Sequence, residues 1–250
     1  MDHKTKCRFV GLENKVFSMK LKLLVNDKKE WALSLARTLS RFLKSHGFQI
    51  SNSSADITIC IGGDGTIFHF SHLNQIRGAI LGIGSKTSSV CQLNHETLKM
   101  KRLIDALRVN KTENRLSLVA KFGGRMLKSI NDVVIHTHDY RIVTIFLRIG
   151  KKKYKFEGDG IILSTPTGST AYAYSAGGAK LGPNERKISV VPVCPYKRTL
   201  KPIVAGEDVE IMVSADRPTD FIIDGIYIGR IAAGEGISVR IGKDVEFLKI

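Results

Sequence analysis

Apolar positions change their rhythm along the chain. In residues 19–25 they alternate and then run together, as a first strand does. Trp31, Leu35, Leu39, Phe42 and Leu43 then recur at helical spacing, with Asn26 and Asp27 as an N-cap and Gly47 as a stop. Residues 56–61 are β-branched and apolar throughout, which predicts a parallel strand buried on both faces. A short helix through Phe68 and Leu73, a strand over 79–83 and a long amphipathic helix over 98–109 follow. Strands alternating with helices predict an α/β domain with a parallel, Rossmann-like sheet over residues 19–111.

From Arg115 onward short β-rich runs take over: 116–121, 126–136, 142–149, 153–156 and 161–164, then 188–193, 209–213, 221–223 and 237–241. One helix is expected to begin near Thr170 and end at Gly177-Gly178. Residues 112–250 are therefore expected to form a β-rich domain whose last segment is free to return to the first. Residues 1–18 are basic and lack periodicity; they are read as an extension that need not be ordered, or as an upstream start.

Composition narrows the function classes. Hydrophobic residues make up 43% and charged residues 25%, so the chain can bury a core. The formal net charge of +16 points to anionic partners such as nucleotides or polyphosphate. The basic residues are spread out, except for Lys151, Lys152, Lys153 and Lys155 beside a hairpin turn at Gly150, and the 7% of aromatics do not interleave with them. No nucleic-acid partner is expected from that pattern. Cys7, Cys60, Cys91 and Cys194 form no CxxC pair, which disfavours a disulfide framework or a zinc site and suits a reducing, cytoplasmic location. Cys60, within an apolar run, is expected in the core. No stretch approaches the ~18 apolar residues of a membrane span, so no membrane partner is expected.

The chemistry concentrates in a few strings. Gly62-Gly63-Asp64-Gly65-Thr66 follows a buried strand and opens a helix, the setting for backbone N–H groups and a helix N-terminus to meet a phosphate. A carboxylate there makes sense if Asp64 acts on a hydroxyl, or holds a magnesium ion. Neither a GxxxxGK[ST] loop nor a complete GxGxxG is present: Gly82-Ile83-Gly84 begins the latter, but Thr87 breaks it. Ser164-Thr165-Pro166-Thr167-Gly168-Ser169-Thr170-Ala171-Tyr172 is a loop rich in hydroxyls, suited to ribose or phosphate without added charge. Asn131-Asp132 stands at a strand start, where an amide and a carboxylate suit a vicinal diol, and Asp159-Gly160 precedes another apolar run.

In this order and spacing these strings resemble the NAD kinase family, as do Ser175-Ala176-Gly177-Gly178, residues 191–195, residues 200–203 and Asp224-Gly225. The resemblance covers residues 20–245; Gly-Gly-Asp-Gly-Thr is shared with diacylglycerol and sphingosine kinases, whereas the Thr165–Tyr172 string is specific. It implies phosphoryl transfer from ATP or polyphosphate, with Mg²⁺ or another divalent metal, to the 2′-hydroxyl of the adenosine ribose of NAD. Asp64 is implied as proton acceptor. Gly62, Gly63, Gly65 and Thr66 are implied in nucleotide binding, Asn131 and Asp132 near that ribose, and Arg141 and Asp159 near the rest of the dinucleotide. Thr170, Ala171, Tyr172 and Ser175 are implied in the adenine and ribose pocket, and a homodimer or homotetramer as the assembly.

The chain departs from the family pattern at Asp132, where glutamate is usual, and at Ile226, where a polar residue is common. Between Gly84 and Cys91, serines and Val90 replace the usual glycines and an aromatic that meets adenine. Two rivals are a lipid kinase of the same superfamily, disfavoured by Thr165–Tyr172, and a non-catalytic dinucleotide-binding regulator, disfavoured by the intact Gly62–Thr66 string.

Overall fold

The structure is a computed structural model that describes residues 19–250; the expectation for residues 1–18 lies outside it. Strands Gln49–Ile50, Lys20–Val25, Ile57–Ile61 and Ala79–Gly84 lie side by side and parallel, and Leu93–Asn94 adds to the end of the last. All five residues of Ile57–Ile61 are buried, which is why its sequence is an unbroken apolar run. Helices Glu30–Ser45 and Met100–Val109 cover one face, with Leu39, Leu43, Leu103 and Leu107 packed on Leu21, Ile59 and Leu81. Helix Asp64–His72 covers the other, with Ile67 and Phe68 packed on Cys60 and Ile80.

The first helix starts later than its expected cap. Lys29 is the N-cap, without a side-chain bond, while Asn26 Oδ1 accepts the Lys28 N–H at 3.1 Å in a local turn. Two strands from later in the chain complete the sheet. Val245–Leu248 runs parallel to Ala79–Gly84 on one side and antiparallel to Thr112–Arg115 on the other.

The remaining strands form two six-stranded antiparallel sheets. One has the order Lys152–Gly158, Val143–Ile149, Ile211–Ala215, Gly236–Ile241, Leu118–Phe122, Arg125–Ser129. The other runs Ile203–Ala205, Ile188–Val193, Gly160–Ser164, Asp132–Thr137, Thr219–Ile223, Ile226–Ile231. Leu118, Val143, Ile145 and Val239 of the first sheet pack against Val133, Ile135, Leu163 and Phe221 of the second. The architecture is thus an α/β part with parallel strands joined to a β-rich part, as the periodicity predicts.

Residues 126–136 do not form a single strand. The run divides into Arg125–Ser129 and Asp132–Thr137, which belong to different sheets. At Ile130-Asn131 the N–H groups turn to a side-chain acceptor, Asp224, and leave the ladder. No helix among the described residues is long and apolar enough to cross a membrane.

Candidate nucleotide site

Gly62 and Gly63 leave strand Ile57–Ile61 at φ of 148° and 103°, conformations that disfavour a side chain. A Cβ on Gly62 would also collide with Thr66 Oγ1 and Asn26 Cβ. Both glycine N–H groups donate to the Ile83 carbonyl, at 3.0 and 3.2 Å. They are therefore spent on the fold. The donors left for an anion are the first N–H groups of helix Asp64–His72. Lys29 adds a cation, its Nζ donating to the Gly62 carbonyl at 2.7 Å. The Thr66 hydroxyl is buried beside this turn without a hydrogen-bond partner.

The half-buried Asp64 carboxylate points at residues 89–91. Its Oδ2 accepts the Ser89 N–H at 2.7 Å and the Ser89 hydroxyl at 3.3 Å. Its Oδ1 accepts the N–H groups of Val90 at 3.1 Å and Cys91 at 2.9 Å. Burial, and then the charge of Asp64 beside it, push the Cys91 thiol well above its ordinary range. Arg115 donates to the Val90 carbonyl at 3.0 Å and stacks its guanidinium over Phe247, so it fixes this loop from behind. Val90 itself is only 2% exposed and packs among Leu24, Cys60, Ile67 and Phe68. Where the family carries an aromatic that meets adenine, the valine side chain here is given to the core.

The facing wall of the cleft is the loop of residues 165–170. Ser89, Asn114 and Arg115 line one side of the opening, and Pro166, Thr167 and Thr170 the other. Most of the loop's hydroxyls hold the loop itself. The Thr165 hydroxyl donates to the Ile130 carbonyl at 2.8 Å and accepts the Gly168 N–H at 3.1 Å. The Ser169 hydroxyl donates to the Pro166 carbonyl at 2.8 Å and accepts the Leu181 N–H at 2.9 Å. Ser164 is likewise bonded inward. Thr167 and Thr170 line the cleft, and the Thr170 hydroxyl donates to the Thr167 carbonyl at 3.2 Å. Gly168 is required because a Cβ there would strike the Asn131 carbonyl.

Behind that loop lies a buried polar knot. Asp224 and Gly225 form a two-residue hairpin turn with φ of 51° and 77°. The Asp224 carboxylate accepts the Ser129 hydroxyl at 2.7 Å and the N–H groups of Ile130 (3.0 Å), Asn131 (2.7 Å) and Asp132 (3.1 Å). His72, at the end of helix Asp64–His72, brings Nε2 to 3.5 Å from it, which links the two parts of the molecule. Asn131 donates its amide to Asp132 Oδ2 at 2.8 Å. Burial raises the Asp132 carboxyl to about 7, reinforced by the charge of Asp224 and opposed by the Asn131 bond.

The other expected residues lie along the same sheet face. Asp132 pairs with Ser164, and Asp159 immediately precedes Gly160 at the far end of that strand pair. The five steps from Asp159 to Ser164 span ~17 Å at a strand's rise of ~3.3 Å per residue. Asp159 is bonded to Cys194, and this bond is the first cause of that thiol's raised pKa. Between the two ends, helix Tyr172–Ser175 lays Ala173 on Val134, Ile162 and Val191. Tyr172 is raised first by burial and then by Cys194, Asp132 and Asp159, so its phenol feels both ends. Ala171 is half-buried, while Thr170 and Ser175 are exposed. Arg141 sits on the exposed loop after Asp132–Thr137, at the Asp159 end, its carbonyl accepting the Thr137 hydroxyl at 2.7 Å. Among the described residues no three His, Cys, Asp or Glu side chains converge on a metal position.

Sequence reasoning passed over Lys29, His72, Ser89, Arg115 and the organising role of Asp224. The Asp-Gly pair signalled a turn, but nothing local announced that its carboxylate would capture backbone N–H groups 92 to 94 residues earlier.

A parallel α/β sheet, a β-sandwich and a cleft between an anion-ready helix terminus and a hydroxyl-bearing loop define a two-part nucleotide-binding protein. The family model of the ATP-NAD kinase C-terminal domain matches residues 130–248. The NAD kinase of Chloroherpeton thalassium is 34% identical over 77% of this chain and 71% of its own length. That of Chlorobium phaeobacteroides is 31% identical over 83% and 82%. Among solved structures, an Archaeoglobus fulgidus NAD kinase in complex with ATP superposes with a TM-score of 0.76, at 19% identity, over 92% of each chain. Yeast NADH kinase complexed with NADH gives 0.78, at 17% identity, over 93% of this chain and 84% of that one. The chain belongs to the NAD kinase family.

Proposed function

We propose that the protein transfers the terminal phosphate of ATP to the 2′-hydroxyl of the adenosine ribose of NAD, giving NADP. The observation that carries this is the placement of Asp64. Its carboxylate stands at the start of a helix ready for an anion and beside the mouth of a cleft lined by Thr167 and Thr170. The activity of the family gives the substrates their names.

In this reading the donor's phosphates meet the first N–H groups of helix Asp64–His72, with the Lys29 ammonium beside them. Asp64 orients the ribose hydroxyl and accepts its proton as the new phosphorus–oxygen bond forms and the bond from the terminal phosphorus to the bridging oxygen breaks, releasing ADP. Asn131 and Asp132 lie near the ribose, Tyr172 along the middle of the dinucleotide, and Asp159 and Arg141 at its far end. The ~17 Å between the two ends suits an extended ligand. A divalent ion such as Mg²⁺ fits best as a companion of the donor's phosphates, because the described residues offer no cage of their own and Mg²⁺ is commonly held by one or two carboxylates plus phosphate. Polyphosphate would meet the same donors. A homodimer or homotetramer is the assembly that the family resemblance implies, and a cytoplasmic location accompanies the free thiols of Cys60, Cys91 and Cys194.

Incubation with NAD, ATP and Mg²⁺ followed by mass analysis should yield NADP. A parallel reaction with diacylglycerol should yield no phosphorylated lipid. Folded protein that makes no NADP from ATP or polyphosphate would refute the proposal.

A further inference from the structure

We infer that the Ser89 hydroxyl is a placeholder for the acceptor hydroxyl on Asp64, and that displacing it sets part of the affinity for NAD. The inference rests on the proposed function, because it takes the ribose hydroxyl to reach Asp64 from the cleft.

A carboxylate offers about four lone-pair positions. At Asp64 four donors fill them: the N–H groups of Ser89, Val90 and Cys91, and the Ser89 hydroxyl. The three N–H groups are fixed by the loop. Its turn is closed by the Ser88 N–H on the Ser85 carbonyl at 3.0 Å, and the Val90 peptide is anchored by Arg115. The hydroxyl is different. At 3.3 Å it is the longest of the four bonds, and it turns about a single side-chain torsion. Ser89 is exposed and lines the cleft together with Pro166, Thr167 and Thr170.

A ribose hydroxyl arriving through the cleft therefore meets a carboxylate already satisfied. Of the four, the Ser89 hydroxyl is the exposed one and gives way, rotating to water or to the ligand's edge, whereas the Cys91 thiol that also faces Asp64 is half-buried. In the empty protein the same hydroxyl keeps Asp64 bonded and oriented. The cost of displacement falls only on ligands that bring a hydroxyl to Asp64, so Ser89 acts on specificity through another residue. It is a positioning residue.

The test is a pair of titrations on Ser89→Ala and on the wild-type chain, with NAD and with its analogue lacking the 2′-hydroxyl of the adenosine ribose. Removing the competitor should tighten NAD about 2- to 10-fold, the worth of one net hydrogen bond. The 2′-deoxy analogue should bind both proteins alike, and Ser89→Thr, which keeps the hydroxyl, should return NAD to the wild-type Kd. Should Ser89→Ala not fold, Ser89→Gly tests the same point. Equal tightening of both ligands would mean that Ser89 merely narrows the cleft, and would overturn the inference. So would unchanged or weakened NAD binding in the variant. If the wild-type chain forms NADP while the variants fail this test, the inference falls alone. If the wild-type chain neither binds NAD nor forms NADP, the proposed function falls and takes the inference with it.

Discussion

Two carboxylates in this molecule are held by the same device and are used oppositely. Asp64 and Asp224 each accept three consecutive backbone N–H groups and one serine hydroxyl. Asp224 is 6% exposed, and its partners belong to a strand crossing that has no other way to satisfy its backbone. There the carboxylate is a structural part, and its loss leaves buried donors orphaned. Asp64 is half-buried at the edge of a cleft, and one of its four partners is an exposed rotor. The same bonds there hold the carboxylate in a fixed direction without hiding it, as the proposed role of a proton acceptor requires. Solvent access, rather than hydrogen-bond count, separates scaffold from chemistry in this pair.

That contrast is open to breakage by substitution. The largest effect is expected at Asp64: Asp64→Asn keeps the shape and should lower NADP formation by ~10²–10⁴-fold, the usual cost of losing a general base. Turnover within about threefold of wild type would show that Asp64 is not the base. Asp224→Ala should act on the fold. Two or more buried donors left unpaired at ~1–3 kcal/mol each should cost ~3 kcal/mol or more. At ~2–4 °C per kcal/mol for a chain of this size, thermal unfolding should show a drop of ~6–12 °C. An unshifted melting temperature would remove Asp224 from its structural role.

Between them stands Asp132, buried next to Asp224 and close to the cleft. Its carboxyl titrates near 7 in the fold, against an ordinary 3.8, so the folded chain holds a proton that the unfolded chain has released. That contribution to stability is full below about pH 4 and is lost as pH rises through 7. The melting temperature should fall from pH 5 to pH 8, and Asp132→Asn should flatten the slope; equal slopes in both proteins would contradict the assignment. The smallest effect is expected from Val90→Phe. In a packed cluster the extra volume should cost ~1–3 kcal/mol with no gain in NAD affinity, measured by melting and titration. Tighter binding would return this position to the cleft.

Periodicity carried much of the fold because burial on one or two faces writes itself into residue spacing. Ile57–Ile61 and Val143–Ile149 are readable for that reason. A return of the last segment to the first part was open in the sequence, but the placing of Val245–Leu248 between Ala79–Gly84 and Thr112–Arg115 was not, because it is set by partners far away in the chain. The site divides the same way. Gly62–Thr66 and Thr165–Tyr172 are local strings with local geometry, so the sequence displays them. It does not display which hydroxyls of the second string are consumed by the loop, since that depends on Ile130 and Leu181 arriving as partners. Nor does it display that Arg115 and Ser89 converge behind and before Asp64.

The insertion of Val245–Leu248 between Ala79–Gly84 and Thr112–Arg115 matters during translation. That strand leaves the ribosome 130 residues after Arg115 (245 minus 115). At ~5–20 residues per second, the interval is about 6–26 s. Through it, the nascent α/β part presents the edge of Ala79–Gly84 without its neighbour, and Gln92 lacks the Leu248 carbonyl that its amide later reaches at 3.0 Å. An open apolar edge of that kind invites pairing with other chains. Vectorial synthesis thus leaves the α/β part unfinished until the strands of the sandwich have been made.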